Sequence, residues 1–482
     1  MGKKYQFTFC LLLLCCGVSH AQPLPSDTLL NPNAVNPYID KTKPTPFIVG
    51  RIFIEGNRKT KSYVVERELP FKSGDSVYLT DLVNGFEVAR RQLFNTGLFN
   101  EVVVSLRSFR GYEVDVNIEL KERWYIFPLP YLKPVDRNLS EWSKRGYSTD
   151  RLNYGFKFTW YNFTGRNDKL RLWLITGYTK QLQFQYDQPY ADKTLKHGYR
   201  IGFAYSSNKE INYLTTDNQQ RFIDTLHEGL KRYNGYIDYT YRPGLRTWHA
   251  FRVAYTRQEV DTGLAVYSPK YFGNQTSVIS YPELSYSLKY VNVDYVHFPL
   301  TGIQLEGSLL KRGFDSKNNM WELSGKMFKG WRLHKKWFFG WQGNGVVRVP
   351  FDQPFINQRL FGYGELYLRG LEKYVIDGVA AAMSRQTLRR EIIRFSIPTF
   401  VKSRSHDKIP FRIYARTFGD LGYAYNKDKN QYTLGNSLVN KMLYTYGGGI
   451  DIVTFYDFIF RLDYSFNQLG QKGLFLHIKN EF

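Results

Sequence analysis

The chain has 482 residues, with 66 Lys and Arg against 43 Asp and Glu, so its formal net charge is +23 and its pI is about 9.6. Aromatic residues make up 17% of it, and the mean hydropathy is −0.42. This composition excludes a bundle of membrane helices, which would need several apolar runs of about 20 residues. It also excludes long disorder, because aromatic and β-branched residues recur throughout.

The first 21 residues have the pattern of a secretory signal. Two lysines precede a short apolar run rich in leucine, and small residues then lead to a predicted cleavage site before Gln22. All three cysteines of the chain lie in this segment, at Cys10, Cys15 and Cys16. An alternative is that the segment is a lipoprotein signal cut before Cys16, which would then carry the lipid. Cleavage of that kind favours a small residue before the cysteine, and Cys15 is not one. Because the chain is exported, we expect its positive charge to meet anionic lipid headgroups or client proteins, and no nucleic acid.

Two segments follow the signal. Residues 22–46 hold six prolines and few aliphatic residues, which predicts an extended tether. Residues 47–125 have mixed α/β patterning: an alternating strand, a short helix from Ser62 to Leu69, a longer helix from Thr80, and two more alternating strands. The longer helix carries an apolar stripe at spacings of four, three and four residues. The order predicts a small domain with its helices on one face of a sheet.

From about Leu152 to Phe482 the apolar period is two residues. One face is rich in Tyr, Phe and Leu and the other is polar, as in the runs Leu182–Tyr186, Ile237–Tyr241, Leu284–Tyr290, Phe458–Phe466 and Leu474–Phe482. Aromatic apolar faces are expected where side chains meet lipid and its interfaces. Hydrocarbon cannot satisfy an open sheet edge, so such strands must close into a barrel.

The fold class predicted is therefore mainly β. Transmembrane strands of about 9–11 residues, with their turns and loops, give about sixteen strands over this stretch. We predict a 16-stranded antiparallel transmembrane β-barrel at residues 126–482, preceded by one small α/β domain at residues 47–125. The alternative is a secreted β-sandwich or propeller.

No motif for chemistry is found. The histidines are scattered, and there is no HExxH motif, P-loop or GxSxG nucleophile elbow. We expect no enzymatic activity, no catalytic residue, no metal and no cofactor.

Residues 47–125 resemble a POTRA domain, the periplasmic module of outer-membrane assembly proteins. The matching positions include Gly56, Asn57, Thr60, Arg67, Glu68, Gly74, Asp75, Gly97, Phe99, Glu122, Arg123 and Trp124. The segment that follows is similar to the barrel of the BamA/TamA superfamily, which includes two-partner secretion translocators. The essential assembly factor of that superfamily has several POTRA domains, whereas residues 22–125 have space for one.

Two later motifs carry the resemblance further. Leu368-Arg369-Gly370-Leu371 resembles the tip of the family's extracellular loop that folds back into the barrel. Phe418-Gly419-Asp420-Leu421-Gly422 resembles a motif of a later strand. Alternation there points Arg416, Phe418, Asp420 and Gly422 into the lumen. We predict that Arg369 and Asp420 form a charge-assisted pair that holds the loop in place. Gly422 would leave room for the loop.

The resemblance also implies a seam. In the family's mechanism the first and last barrel strands meet weakly, and here these are predicted at residues 154–161 and 474–482. The seam residues are Gly155, Trp160, Gly473 and Phe482, the two glycines adding little packing. A second reading is that the glycines only relieve crowding.

The function implied is that of an outer-membrane protein, with its POTRA domain in the periplasm, that assists insertion or translocation of polypeptides. Client segments would add as strands to the POTRA sheet. Expected partners are unfolded outer-membrane or secreted proteins, outer-membrane lipids and accessory assembly lipoproteins. The alternatives are a dedicated secretion or lipid-transport pore and a structural anchor in a surface complex.

Overall fold

The computed structural model describes residues 45–134, 142, 146–224, 229–268, 270–273, 276–315, 318–399, 408–427 and 434–478. The predicted signal, nearly all of the predicted tether, and Phe482 lie outside these residues.

An N-terminal domain of two helices and a four-stranded sheet precedes the barrel. Its sheet has the order β2-β1-β4-β3, with β1 parallel to β4 and the other pairs antiparallel. The elements are β1 Phe47–Glu55, α1 Ser62–Glu66, β2 Ser76–Val77, α2 Leu79–Asn95, β3 Phe99–Arg110 and β4 Glu113–Glu122. The small α/β domain predicted from the sequence is confirmed, with the short strand β2 in addition.

The apolar stripe of α2 forms the core of this domain. Leu82, Phe86, Ala89 and Leu93 are buried together with the apolar face of β4. Because the stripe follows the helical period, one face of α2 covers the sheet, while Glu87 and Arg90 on the other face are exposed. Among the described residues, no helix is both long and apolar enough to cross a bilayer.

Four of the residues matched to the POTRA pattern, Gly56, Asn57, Gly97 and Phe99, shape turns or the core of this domain. Gly56 has φ +90°, and a Cβ there would lie 1.9 Å from the carbonyl oxygen of Leu120, so only glycine fits. Asn57 Nδ2 donates to the carbonyl of Thr60 at 3.0 Å. Gly97, with φ +72°, follows the last residues of α2. Phe99 is fully buried in the core.

Asp115 ties strands β1 and β4 to the hairpin between β3 and β4. Arg110 and the backbone N–H of Arg51 donate to its carboxylate, and these hydrogen bonds lower the pKa of Asp115 from 3.8 to about 2. The charged form therefore stabilises the fold above pH 3.8, and this contribution is lost as the pH falls towards 2.

We expect Asp115→Asn to increase hydrogen exchange in β1 and β4 at pH 7, and the difference from wild type to vanish near pH 2. Glu87→Gln, which removes an exposed ion pair on α2, is the control and should leave hydrogen exchange in β1 and β4 unchanged. Equal effects of the two variants would contradict the stabilising role of Asp115.

The rest of the chain builds one long antiparallel sheet with two small hairpins and a helix in its loops. The elements are β5 Ile126–Pro134, β6 Leu152–Tyr161, β7 Lys169–Gly177, β8 Thr179–Gln188, β9 His197–Asn208, β10 Glu210–Thr216, β11 Gln219–Asp224, β12 Leu230–Tyr241, β13 Thr247–Val260, α3 Thr262–Tyr267, β14 Val278–Val293, β15 Gly302–Arg312, β16 Met320–His334, β17 Trp337–Val349, β18 Arg359–Phe361, β19 Ile376–Asp377, β20 Ala380–Pro398, β21 Lys408–Tyr425, β22 Met442–Val453, β23 Ile459–Asn467 and β24 Lys472–Ile478.

Sixteen of these strands form the barrel, as predicted. They follow chain order from β5 to β24, and the pairs β10-β11 and β18-β19 form separate hairpins. The two ends of the sheet approach each other: the rings of Phe127 on β5 and Tyr456, just before β23, have centroids 5.4 Å apart. The 16-stranded antiparallel fold is confirmed.

The outward face of the sheet is apolar. Leu182, Phe184, Ile237, Tyr239, Leu284, Leu288, Phe460, Leu462 and Tyr464 are all exposed, as the two-residue alternation predicts. Many residues of the opposite parity are buried inside the barrel, among them Gln185, Asp238, Glu283, Arg461 and Asp463. An apolar outer band around a polar interior is the arrangement of a transmembrane β-barrel.

The first barrel strand differs from the prediction. Residues 154–161 were predicted to be the first strand, but the sheet begins at β5 and these residues belong to the second strand, β6. Three of the nine residues of β5 are proline, which interrupts the apolar alternation. Prolines are tolerated in a strand whose edge is unpaired, and β5 is an edge strand.

The two ends of the barrel differ in their connections. Short turns join the strands at the end near the N-terminal domain, for example residues 162–168 and 242–246. Long connections lie at the opposite end, and the longest runs over residues 350–379.

Candidate functional site

The long connection between β17 and β20 folds back into the barrel. Its residues Leu368, Arg369 and Leu371 are buried against the inner wall, and Arg369 is only 2% exposed. An arginine this deeply buried needs a partner, because removing its charge from water is costly.

Arg369 is paired with Asp420 on strand β21. Its Nε donates to Asp420 Oδ2 at 2.9 Å, its Nη2 donates to Oδ1, and its backbone N–H reaches Oδ2 at 3.1 Å. Nη1 donates to Thr387 Oγ1 at 3.0 Å. The structure thus brings together the two residues that the sequence paired, in a bidentate geometry.

The alternation of β21 explains why this carboxylate is available. Leu421 and Tyr423 face outwards, so Phe418, Asp420 and Gly422 line the lumen. The ring of Phe418 lies 4.2 Å from the guanidinium carbon of Arg369. A Cβ at Gly422 would lie 3.0 Å from Leu368 Cδ1, so this glycine makes room for the loop.

Gly370 attaches the loop to the neighbouring strands. It has φ +92°, and a Cβ there would lie 2.9 Å from Ser465 Cβ on β23. Its carbonyl accepts a hydrogen bond from Asn467 Nδ2 at 2.8 Å. The loop tip is therefore held from two sides, by β21 through Arg369 and by β23 through Gly370.

A second group of buried ion pairs lies beside this contact. Asp451 on β22 accepts from Arg389 Nε and Arg461 Nε, both at 3.0 Å, and Arg416 pairs with Asp463. All five side chains are buried. Sequence reasoning placed Arg416 in the lumen but missed these pairs, because the partners come from strands β20 to β23 and only the register aligns them.

The inserted loop also contacts the last strand. Glu372 Oε1 lies 3.3 Å from His477 Nε2 on β24, and the ring of Tyr367 stacks on His477 with centroids 5.9 Å apart. Gln471 Nε2, next to β24, donates to Tyr374 Oη at 2.7 Å. The loop therefore supports β24 from inside the barrel.

The sheet ends on strands β5 and β24. Among the described residues no hydrogen-bonded ladder joins these two strands. Gly473 lies on β24, as predicted for a seam residue. Gly155 and Trp160 lie on β6, one strand away from the seam, so their predicted place at the first strand is corrected.

Gly155 and Trp160 have other contacts on β6. A Cβ at Gly155 would lie 2.1 Å from the carbonyl oxygen of Leu174 on β7, so this glycine allows two paired strands to approach. Trp160 packs beneath Lys59 of the N-terminal domain, whose Nζ lies 4.7 Å from the ring. These residues relieve crowding and join the domains.

The N-terminal domain is docked on the barrel through a buried charged cluster. Glu68, 1% exposed, accepts from Arg242 Nη2 at 2.7 Å and from Tyr190 Oη at 2.9 Å. Arg242 Nη1 also donates to Tyr190 Oη at 2.7 Å. Burial lowers the pKa of Arg242, but the Glu68 carboxylate more than offsets this, so the pKa of the guanidinium is raised. We call these three residues the docking cluster.

Contacts elsewhere at the same end extend this interface. Thr60 Oγ1 donates to Glu122 Oε1 at 2.6 Å and accepts from Asn162 Nδ2 at 2.9 Å. Arg123 Nη1, at the start of the barrel, donates to Asp457 Oδ2 at 2.9 Å. The sequence matched Thr60, Glu122 and Arg123 to a family pattern, and the structure shows what they contact.

No group of three or more His, Cys, Asp or Glu side chains suited to a metal ion occurs within the described part of the chain. The expectation that no metal or cofactor is used stays a prediction.

Comparisons with known proteins bear on both parts of the chain. Residues 47–123 match the family model described as POTRA, surface antigen variable number repeat. No curated protein matches the chain.

Solved structures similar to the chain include two kinds of barrel protein. BamA from Haemophilus ducreyi lacking POTRA domains 1–3 has 17% identity and a TM-score of 0.48, with 90% of this chain and 83% of that chain covered. CdiB from Acinetobacter baumannii has 13% identity and a TM-score of 0.45, with 89% and 73% covered. CdiB from Escherichia coli has 10% identity and a TM-score of 0.47, with 92% of each chain covered.

The class of protein follows from the domain match and the observed fold. This is a transmembrane β-barrel protein of the outer-membrane type, with one POTRA domain in its described residues. The POTRA domain and the 16-stranded barrel expected from the sequence are both present.

Proposed function

We propose that this protein assists the insertion or translocation of polypeptides at the bacterial outer membrane. The observation that carries the proposal is the open seam: the sheet ends on β5 and β24 with no ladder between their described residues. Unpaired backbone groups cannot be satisfied by hydrocarbon, so this seam is a place where a further strand is stabilised. The activity requires no bond to be broken, and no enzyme chemistry is proposed.

The POTRA domain lies in the periplasm under this proposal. It is docked at the end of the barrel where the turns are short, through the turns around Asn162, Tyr190 and Arg242. Outer-membrane barrels place short turns on the periplasmic side and long loops outside.

Strand β3 is the proposed first contact for a client. It is an end strand of the POTRA sheet, with twelve residues, and its side chains Val103 and Phe109 are exposed. A free strand edge binds an extended peptide through main-chain hydrogen bonds, and exposed apolar side chains add affinity. The partners are therefore unfolded outer-membrane or secreted proteins, with outer-membrane lipids around the barrel.

The inserted loop has a supporting role in this proposal. Arg369 and Gly370 hold it against β21 and β23, and Glu372 and Tyr374 connect it to β24 and its hairpin. The loop thereby fixes the wall that borders the seam. Accessory assembly lipoproteins are further proposed partners. A pull-down of the protein from solubilised membranes would identify them.

The test is reconstitution. We expect the full-length protein in liposomes of phosphatidylcholine and phosphatidylglycerol to speed the folding of an added, urea-unfolded outer-membrane barrel protein several-fold over empty liposomes. Folding is measured by protease protection and by the mobility of unboiled samples on a gel. An unrelated closed barrel at the same density is the control, since any barrel perturbs the bilayer. No acceleration beyond this control would contradict the proposal and would favour a dedicated pore or a structural anchor.

A further inference from the structure

The two strands that border the seam offer different backbone groups. In an antiparallel ladder the N–H and C=O of one residue point to the same side, and successive residues alternate. The direction of one hydrogen bond therefore fixes the direction of every backbone group along a strand that has no bulge.

Strand β5 has few donors at its free edge. The N–H of Tyr161 donates to the carbonyl of Tyr125 at 2.8 Å, and the register of β5 with β6 runs without a shift. Odd-numbered residues of β5 therefore bond to β6 and even-numbered residues face the seam. The residues at the seam edge are Ile126, Pro128, Pro130, Leu132 and Pro134. Three of these five have no N–H, so the edge presents carbonyl groups and only two donors.

Strand β24 has a complete edge. The N–H of Asn467 donates to the carbonyl of Gln471 at 3.1 Å, and the ladder continues without a shift into β24. Odd-numbered residues thus bond to β23, and even-numbered residues face the seam. The residues at this edge are Lys472, Leu474, Leu476 and Ile478, each of which has both an N–H and a C=O.

We propose that β24, and not β5, is the strand on which an extended client segment pairs at the seam; this inference rests on the proposed function. The prolines remove three of the donors that β5 could give to β24 or to a client. Carbonyl groups of β24 are then left without donors from β5, and an incoming strand satisfies them. A client strand does not pair with β5, the strand on the other side of the seam.

The surroundings of β24 suit this role. Its outward side chains Leu474 and Leu476 are 65% and 66% exposed, so one face continues the apolar outer surface of the barrel. Its inner side is supported by the loop through His477. A client strand that alternates between apolar and polar residues would continue both faces, because neighbouring strands share the same pleat.

Disulfide trapping tests the inference. The only cysteines lie in the predicted signal, so single cysteines can be placed at Leu474 and, as a matched exposed leucine at the other edge, at Leu132. The probe is a small urea-unfolded outer-membrane barrel protein with one cysteine in a terminal strand, added to full-length protein in liposomes. Paired residues on adjacent strands are close enough for a disulfide. We expect cross-links at Leu474→Cys to exceed those at Leu132→Cys at least about fivefold, because each backbone hydrogen bond that one edge cannot make reduces its occupancy.

Proline substitution gives an independent test. Leu476→Pro removes a donor from the complete edge and should reduce probe insertion several-fold. Leu132→Pro, which adds a fourth proline to the deficient edge, should leave insertion near wild type. Gel mobility of unboiled samples checks that both variants fold. If Leu476→Pro does not fold, the disulfide-trapping experiment alone decides which strand the client pairs with. Insertion with cross-links mainly at Leu132→Cys would overturn this inference alone, whereas a probe that the wild-type protein neither inserts nor cross-links would overturn the proposed function.

Discussion

Asp420→Ala is expected to release the inserted loop from the barrel. The substitution leaves Arg369 buried without its carboxylate, and removing one partner of a buried ion pair costs about 3–5 kcal/mol. Arg385 Nε, 3.7 Å from Asp420, loses the same neighbour, which adds repulsion between two buried guanidinium groups. The loop should leave the lumen, and with it the contacts to His477 that support β24. Insertion of a client barrel should fall several-fold.

The measurement is limited proteolysis of the loop at residues 350–379 in intact liposomes, alongside the insertion assay. Asp238→Ala is the matched control, because Asp238 is a buried wall carboxylate on β12 that also accepts from arginines, in its case Arg200 and Arg252 of the neighbouring strands β9 and β13. It should lower the unfolding temperature without exposing the loop. A protected loop in Asp420→Ala would contradict the role of the pair.

The double variant Arg369→Ala/Asp420→Ala separates pairing from mere loss of residues. It should be less impaired than the sum of the single variants, because Arg369 is no longer present to be buried without its carboxylate. Exchanging the two charges is not expected to restore the loop, since an arginine at position 420 would lie beside Arg385. Purely additive single effects would show that the two side chains act separately.

Glu68→Ala is expected to undock the POTRA domain from the barrel. Arg242 and Tyr190 would stay buried without the carboxylate that both contact, again at a cost of about 3–5 kcal/mol. Arg67 would still donate to the carbonyls of Leu195 and Gly244 in the neighbouring turns. The contacts through Thr60 and Arg123 are at other turns of the same end. Hydrogen exchange should increase in α1 and in the turns at residues 189–196 and 242–246, while exchange in the POTRA core stays slow.

Glu55→Ala is the matched control for this variant. Glu55 also pairs with an arginine in the POTRA domain, Arg107, but both side chains are largely exposed, and such pairs contribute about 0–1 kcal/mol. It should leave exchange at the interface unchanged. Equal exchange in Glu68→Ala and wild type would mean that the docking cluster does not hold the two domains together.

Much of this fold could be predicted because lipid and water impose a simple period. Residues such as Leu284 and Leu288 alternate with polar residues, since one face meets hydrocarbon and the other a polar interior, and this alternation identified the barrel and its strand number. The same parity put Asp420 in the lumen. The apolar stripe of α2 likewise followed from the helical period.

Strand β5 was missed for a physical reason. Pro128, Pro130 and Pro134 break the apolar alternation that marks the other strands, and sequence alone does not show that these residues lie at an unpaired edge. The assumed first strand was consequently β6, and Gly155 and Trp160 were assigned to the seam.

The sequence by itself determined the period of each segment, the side of the wall on which Arg416, Phe418 and Asp420 lie, and the one loop motif able to meet them. Only the tertiary structure decided the partners Asp451 and Asp463, the docking cluster of Glu68, Tyr190 and Arg242, and the two edges of the seam. The physical reason is that parity is a local property of a strand, set by alternating side chains. Partners depend on register and closure, which bring together residues far apart in the chain.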